Sequence, residues 1–252
     1  MKKLIALYRH FADSRYSTIA GTLVYFLLMS IAPTLLWLAL IAGKIDVEGV
    51  VDHTLFEAVQ PIIKQLNSAA QSAASGAGII LPATSLYSST NFFYHLRRSG
   101  EIIFDSEGSR GGIKLRLASA GMVFAAIVGF SVVAAVAVSG KPLLNYIMPD
   151  VIIECIQLVL ITLAGFFIAI FLNKFACPFP LSFMSAVPGA LLTLVLWLIL
   201  AAGFTVYMLF ADPSRLYGAV AAVIVFLLWC YVMISSLVVG IIYNAMFVVK
   251  KI

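Results

Sequence analysis

Residues 79–96, IILPATSLYSSTNFFYHL, form a polar segment between longer apolar runs. The segment is long enough to cross a bilayer as a helix, yet it is too polar to face lipid. Four polar side chains recur in it at steps of four, three and four residues: Thr84, Ser88, Asn91 and His95. This spacing predicts that two hydroxyls, an amide and an imidazole share one face of a helix, directed at another helix or at a ligand.

The composition around this segment is that of a membrane protein. Of the 252 residues, 63% are hydrophobic and 11% are charged, and the mean hydropathy is +1.08. Soluble domains carry about 25% charged residues, so a soluble fold of this chain would lack polar surface. Because several apolar runs reach about 20 residues, we expect an all-α, polytopic integral membrane protein.

Six membrane spans are predicted within a single membrane domain covering residues 1–252. The spans lie at about residues 19–43, 79–96, 117–139, 151–172, 183–210 and 217–249. Two amphipathic segments, about 1–17 and 47–66, are expected to lie on the membrane surface. Residues 97–116 are interpreted as a charged loop. Helix breaks are predicted at Pro33, Pro82, Pro188 and Gly189.

The distribution of basic residues predicts the orientation in the membrane. Six spans place both termini on the same side, and that side holds twelve of the 16 Lys and Arg residues. The remaining four are Lys44, Lys64, Lys141 and Arg215. Since basic residues accumulate on the cytoplasmic side, both termini are expected in the cytoplasm. The formal charge of +5 is explained by these flanking residues, and no nucleic-acid partner is expected.

The sequence offers little for enzymatic chemistry. The three histidines fall on different segments, and the cysteines, Cys155, Cys177 and Cys230, lack the spacing of a zinc site or a disulfide framework. No phosphate-binding loop or hydrolase motif is present. We therefore expect no catalytic residues, no metal and no cofactor. No carboxylate falls in the middle of a predicted span, which weakens a proton-coupled mechanism.

Two interpretations of the polar second span stay open. Hydroxyls and amides in membrane helices often bond across a bundle, at about 0.6 kcal/mol each. Alternatively, they line a cavity or groove that receives a substrate. The residues predicted to line such a cavity are Thr84, Ser88, Asn91, His95 and Tyr87, with Tyr25, Ser30 and Asn244 as weaker additions.

Four stretches of the chain resemble one family, the YihY/BrkB membrane proteins, once labelled ribonuclease BN. They are AGTLVYFLLMSIAPTLLWL (20–38), ATSLYSSTNFFYHLRRS (83–99), VPGALLTLVLW (187–197) and YGAVAAVIVFLLWCYVMISSLVVG (217–240). The resemblance implies a six-helix bundle in the bacterial inner membrane with cytoplasmic termini. It also implies a poorly defined activity, with transport of lipid or envelope components among the suggestions.

The chain departs from that family pattern at one position. Ile242 stands where the family often carries a glutamate, so no carboxylate role transfers to it, whereas Asn244 matches the family. The ribonuclease label is not supported, because a metal-dependent nuclease needs a His/Asp cluster that the sequence lacks.

The sequence and the resemblance together favour a transporter or flippase-like protein for a lipid or another amphipathic envelope component, not ATP-driven by itself. The alternative is a membrane scaffold or regulatory subunit without a substrate path. The expected partners are membrane lipids and a lipid-like or small amphipathic substrate. Homo-oligomerisation stays open.

Overall fold

The computed structural model describes residues 16–42, 80–106, 112–144, 150–210 and 220–247. Within these ranges every regular element is a helix, as expected of an all-α protein. The amphipathic segments predicted at about 1–17 and 47–66 lie outside the described residues, apart from Tyr16 and Ser17.

Seven helices make up the described part of the chain. They are α1 (Tyr16–Ala42), α2 (Ile80–Ser89), α3 (Asn91–Ile103), α4 (Gly112–Leu144), α5 (Asp150–Ala176), α6 (Phe183–Phe210) and α7 (Val220–Phe247). Four of them, α4 to α7, contain apolar stretches long and hydrophobic enough to cross a membrane, and α1 contains a shorter one, Tyr16–Ile31. The chain is therefore a multi-pass membrane protein. The predicted count of six spans is not confirmed by the residues that the structure describes.

The second predicted span is two helices rather than one. The helix is interrupted at Thr90, between α2 and α3, so Thr84 and Ser88 lie on a different helix from Asn91 and His95. The predicted span is therefore divided between two helices, although helical hydrogen bonds still cross the turn, from the amide of Thr90 to the carbonyl of Leu86 at 3.3 Å and from the amide of Tyr94 to the carbonyl of Thr90 at 3.0 Å. The physical cause of the division is a hydroxyl from α1, described with the candidate site.

The charged segment after this span is also more helical than expected. Residues 97–103 belong to α3, and residues 112–116 open α4, so both ends of the loop predicted at 97–116 are helical. The end of α3 is a Schellman motif: Asp105 has a φ of 49°, and the amide of Ser106 donates to the carbonyl of Glu101 at 3.0 Å. Arg97 and Glu101 in this segment are buried rather than solvated.

The predicted breaks at the prolines do not end their helices. Pro33 lies inside α1 and Pro188 lies inside α6, and both helices continue beyond them. Pro82 falls in the first turn of α2, where a missing amide hydrogen needs no helical partner.

The chain forms two compact units. The first unit comprises Met1–Phe26, His95–Arg110 and Gly165–Ile252, and the second comprises Leu27–Tyr94 and Gly111–Ala164. In the second unit, α2 packs on α4. In the first unit, α6 and α7 pack along each other.

The α6–α7 contact in the first unit depends on two glycines. A Cβ added at Gly189 would collide with the carbonyl of Gly240 and with the side chain of Asn244, and a Cβ at Gly240 would collide with Thr193. The absence of side chains therefore lets the two backbones approach closely, as in other small-residue interfaces of membrane helices. Farther along, the indole nitrogen of Trp197 donates to the carbonyl of Met233 at 3.1 Å.

Candidate functional site

A serine hydroxyl interrupts the helix in the second unit. Ser30 of α1 is 4% exposed, and its Oγ accepts a hydrogen bond from the amide of Phe92 at 3.1 Å. The same hydroxyl donates to the carbonyl of Ser88 at 3.1 Å. Phe92 and Ser88 are four residues apart, so the hydroxyl stands where the helical hydrogen bond would run. This insertion separates α2 from α3.

Next to this break, an arginine of α4 gathers polar and aromatic residues of α2 and α3. Nη1 of Arg116 donates to Oδ1 of Asn91 at 2.7 Å and to Oγ1 of Thr90 at 3.2 Å, and Nη2 donates to Oη of Tyr87 at 2.9 Å. The guanidinium carbon also lies 4.1 Å from the ring centroid of Tyr87 and 4.0 Å from that of Tyr94. We call these five residues the Arg116 cluster.

The Arg116 cluster is positively charged and accessible. Tyr87 is 58% exposed, and Asn91 and Arg116 are half-buried. Among the described residues the ion pair is that of Arg98 and Glu101, so no carboxylate in this part of the chain neutralises Arg116. The guanidinium is held instead by neutral oxygens and by aromatic faces, which attract cations through their negative ring centres.

The residues predicted to line a cavity are distributed over both units. Tyr87, Asn91 and Ser30 take part in the contacts just described, Ser88 contributes its backbone carbonyl, and Thr84 is exposed on α2. Arg116 was not among the predicted site residues. The signal that could have identified it is its position directly before the predicted third span. If the helix of that span begins earlier, the guanidinium of Arg116 lies on the helix and needs hydrogen-bond acceptors.

Two of the predicted residues, His95 and Tyr25, contact the ring of Phe26 in the first unit. The ring of His95 lies parallel to that of Phe26, with 3.4 Å between centroids, and Tyr25 meets Phe26 edge-on at 5.1 Å. His95 is half-buried, whereas Tyr25 is 55% exposed. In this unit the imidazole packs against a ring.

Asn244 uses its amide for helix packing in the first unit. It is 1% exposed, and its Oδ1 accepts from the amide of Gly189 at 2.8 Å. Its Nδ2 donates to Oδ1 of Asn173 at 3.1 Å and to the carbonyl of Ala186 at 3.2 Å. Asn244 of α7 is thus tied to both α5 and α6, as a buried amide in a membrane bundle requires.

A second arginine, Arg97, caps the carboxyl end of α5. It is 7% exposed, and its guanidinium donates to the carbonyls of Phe175 at 2.9 Å, Pro178 at 2.8 Å and Cys177. The last carbonyls of a helix lack helical partners and form its negative end, so a buried cation is well placed there. Burial raises the pKa of the Cys177 thiol, more than the backbone hydrogen bond at Phe179 and the charge of Arg97 lower it. Arg97 therefore fixes α3 to the end of α5.

The comparison with known protein families identifies the chain. The family model described as Virulence factor BrkB matches residues 7–251, and the chain therefore belongs to this family. The family resemblance noted in the sequence is confirmed. No curated protein and no solved structure matches the chain.

Proposed function

We propose that this member of the BrkB family is a transporter or flippase-like protein for a lipid or another amphipathic envelope component, and that it is not ATP-driven by itself. The observation that carries the proposal is the accessible polar surface of α2 and the start of α3. Thr84 and Tyr87 are exposed there, and Ser88 and Asn91 are half-buried. Polar groups are costly against lipid tails, so such a surface is best explained by a polar ligand or water in contact with it.

The break at Thr90 supports the same function. Transporters use interrupted membrane helices beside their substrates, and in this chain Thr90 and Asn91, at the interruption, both contact Arg116. In this proposal the polar headgroup follows the accessible surface of α2 and α3 while the apolar chains stay in lipid. The protein acts in the bacterial inner membrane with both termini in the cytoplasm, as the distribution of basic residues favours.

No catalytic step is part of this proposal. Within the described ranges no three His, Cys, Asp or Glu side chains come together as a metal site, and the proposed residues act by hydrogen bonding to the moving headgroup. The proposed partners are membrane lipids and the amphipathic substrate.

Translocation in liposomes tests the proposal. The purified chain is reconstituted with fluorescent phosphatidylglycerol, and dithionite is added outside to quench the label in the outer leaflet. We expect the wild type to make the inner-leaflet label accessible and the variants Asn91→Ala and Ser88→Ala to slow this. The control is Ser119→Ala, whose hydroxyl is buried and donates to the carbonyl of Leu115 within its own helix. Quenching equal to that in protein-free liposomes would contradict the proposal.

The second candidate is a scaffold or regulatory subunit without a substrate path. The observation that favours it is that two predicted lining residues, Ser30 and Asn244, are buried and direct their hydrogen bonds at neighbouring helices. This candidate predicts no translocation by the wild type, with effects of the variants on stability alone.

A further inference from the structure

Arg116 retains hydrogen-bonding capacity after all of its contacts within the described residues. A guanidinium has five N–H donors, and three of them are used by Thr90, Asn91 and Tyr87. Both donors of Nη1 are used, so the two that remain are the Nε–H and one Nη2–H. Arg116 is only half-buried, so a ligand can reach it.

Asn91 and Tyr87, which contact Arg116, also keep hydrogen-bond donors for a ligand. Arg116 occupies the amide oxygen of Asn91, which directs the Nδ2 hydrogens away from the guanidinium. It likewise occupies the Oη of Tyr87, whose own hydrogen stays available. Thr90 donates its hydroxyl hydrogen to the carbonyl of Tyr87 at 2.7 Å. The cluster therefore presents mainly N–H and O–H donors around one fixed positive charge, which suits an oxyanion better than a cation or a neutral ligand.

The surroundings of the cluster add positive potential. Arg116 lies near the amino end of α4, whose first turn contains no acidic residue, and the exposed Lys114 is two residues away. The amino end of a helix is the positive end of its dipole. The positive potential of Lys114 and of the helix end repels the charge of Arg116 when no ligand is bound. The same potential stabilises a bound anion.

We propose that the Arg116 cluster is the binding site for the phosphate group of an anionic substrate headgroup, which deepens the proposed transport function and rests on it. The planar guanidinium fork matches phosphate oxygens in a way that a lysine ammonium does not. The rings of Tyr87 and Tyr94 both lie against the guanidinium, so little side-chain freedom is lost on binding. The exposed ring of Tyr87 provides an apolar surface beside the headgroup.

Equilibrium binding tests this site without any need for transport. The full chain in neutral maltoside detergent is titrated calorimetrically with dihexanoyl phosphatidylglycerol, with inorganic phosphate and with dihexanoylglycerol, which lacks phosphate. We expect a dissociation constant for the phospholipid that rises about tenfold or more in Arg116→Gln, since charge-assisted hydrogen bonds are lost. Phospholipid binding above that of inorganic phosphate identifies a lipid headgroup as the source of the phosphate, whereas equal binding identifies free phosphate.

The matched control is Lys114→Gln, which removes one positive charge from the same end of α4 without touching the cluster. It should weaken binding clearly less than Arg116→Gln. Equal losses in the two variants would overturn the proposal, because they would indicate diffuse electrostatic attraction. Binding of dihexanoylglycerol as tight as that of the phospholipid would also overturn it.

A conservative variant keeps the test valid if Arg116→Gln misfolds. Arg116→Lys retains the charge and loses the planar fork, so we expect weaker binding with an unchanged circular dichroism spectrum and elution volume. Wild-type affinity in Arg116→Lys would contradict recognition by the fork. Binding without translocation would disprove the transport function alone, and translocation without Arg116-dependent binding would disprove this site alone.

Discussion

The hydroxyl of Ser30 lies 3.1 Å from the backbone nitrogen of Phe92 and takes the place of a helical carbonyl. A side chain on α1 thus completes the hydrogen bonding of a helix more than sixty residues later in the chain. Because the hydroxyl can both accept and donate, it satisfies the amide of Phe92 and the carbonyl of Ser88 together. The resulting break places Thr90 and Asn91 where Arg116 contacts them.

Removing this hydroxyl should destabilise the second unit. We expect Ser30→Ala to lower the free energy of unfolding by about 1–2 kcal/mol, because a buried amide and a carbonyl lose their partner. Ser119→Ala, which removes a buried hydroxyl bonded only within α4, should change it by less than about 0.5 kcal/mol. Denaturant titration of the full chain in detergent, followed by circular dichroism, measures both. Equal stability of Ser30→Ala and wild type would mean that α2 and α3 join into a regular helix.

Two glycines of α6 should respond in opposite ways to alanine. Gly189→Ala should destabilise the chain by about 2 kcal/mol or more, because the added methyl group meets the backbone of Gly240 and the side chain of Asn244. Gly203→Ala should leave stability unchanged or raise it by up to about 1 kcal/mol, since nothing lies within 4 Å of its Cβ position. The same unfolding titration compares them. Similar losses for both would show that α6 and α7 are not closely packed at Gly189.

Arg97, which caps α5, should contribute more to the free energy of unfolding than the half-buried Lys174 in the same region. We expect Arg97→Gln to cost about 3 kcal/mol of unfolding free energy, because three carbonyls lose a charged donor. Lys174→Gln, which removes a half-buried cation stacked on Phe183, should cost about 0.5–1 kcal/mol.

Thiol labelling gives a second measure of this cap. Cys177 is buried, and burial raises the pKa of its thiol, which favours the unreactive protonated form. In a background with Cys155 and Cys230 replaced by serine, maleimide should therefore label Cys177 slowly at neutral pH. Arg97→Gln should accelerate the reaction, because exposing the buried thiol outweighs the loss of the positive charge that lowers its pKa. Equal rates in the two proteins would show that Arg97 does not hold this segment closed.

The orientation of the termini can be tested with a reporter fused after Ile252. Twelve basic residues on one predicted side against four on the other favour cytoplasmic termini. A reporter that is active only outside the cytoplasm should therefore be silent at this position, and one active in the cytoplasm should give signal. The reverse pattern would invert the proposed orientation.

Sequence determined the helical, membrane-embedded character of this protein. Hydrophobic length is a local property of the chain, so α6 occupies residues 183–210, the residues predicted for the fifth span, and α7 lies within 217–249. The family was also identified from the sequence alone, whose match to the family model covers residues 7–251.

Tertiary structure decided the use made of the polar residues. Asn91 and Asn244 are both asparagines in predicted membrane helices, and the sequence does not distinguish their roles. In the structure, Asn91 accepts a hydrogen bond from the half-buried Arg116, whereas Asn244 is buried and bonds to Asn173 of a neighbouring helix. The break at Thr90 coincides with the hydrogen bond of Ser30, and Arg97 in the helical segment 97–103 finds its partners at the end of α5. Hydrogen bonds between segments that are distant in sequence produce no periodic pattern from which they could be predicted. Only the folded arrangement selects which polar groups are consumed by packing and which stay accessible for a ligand.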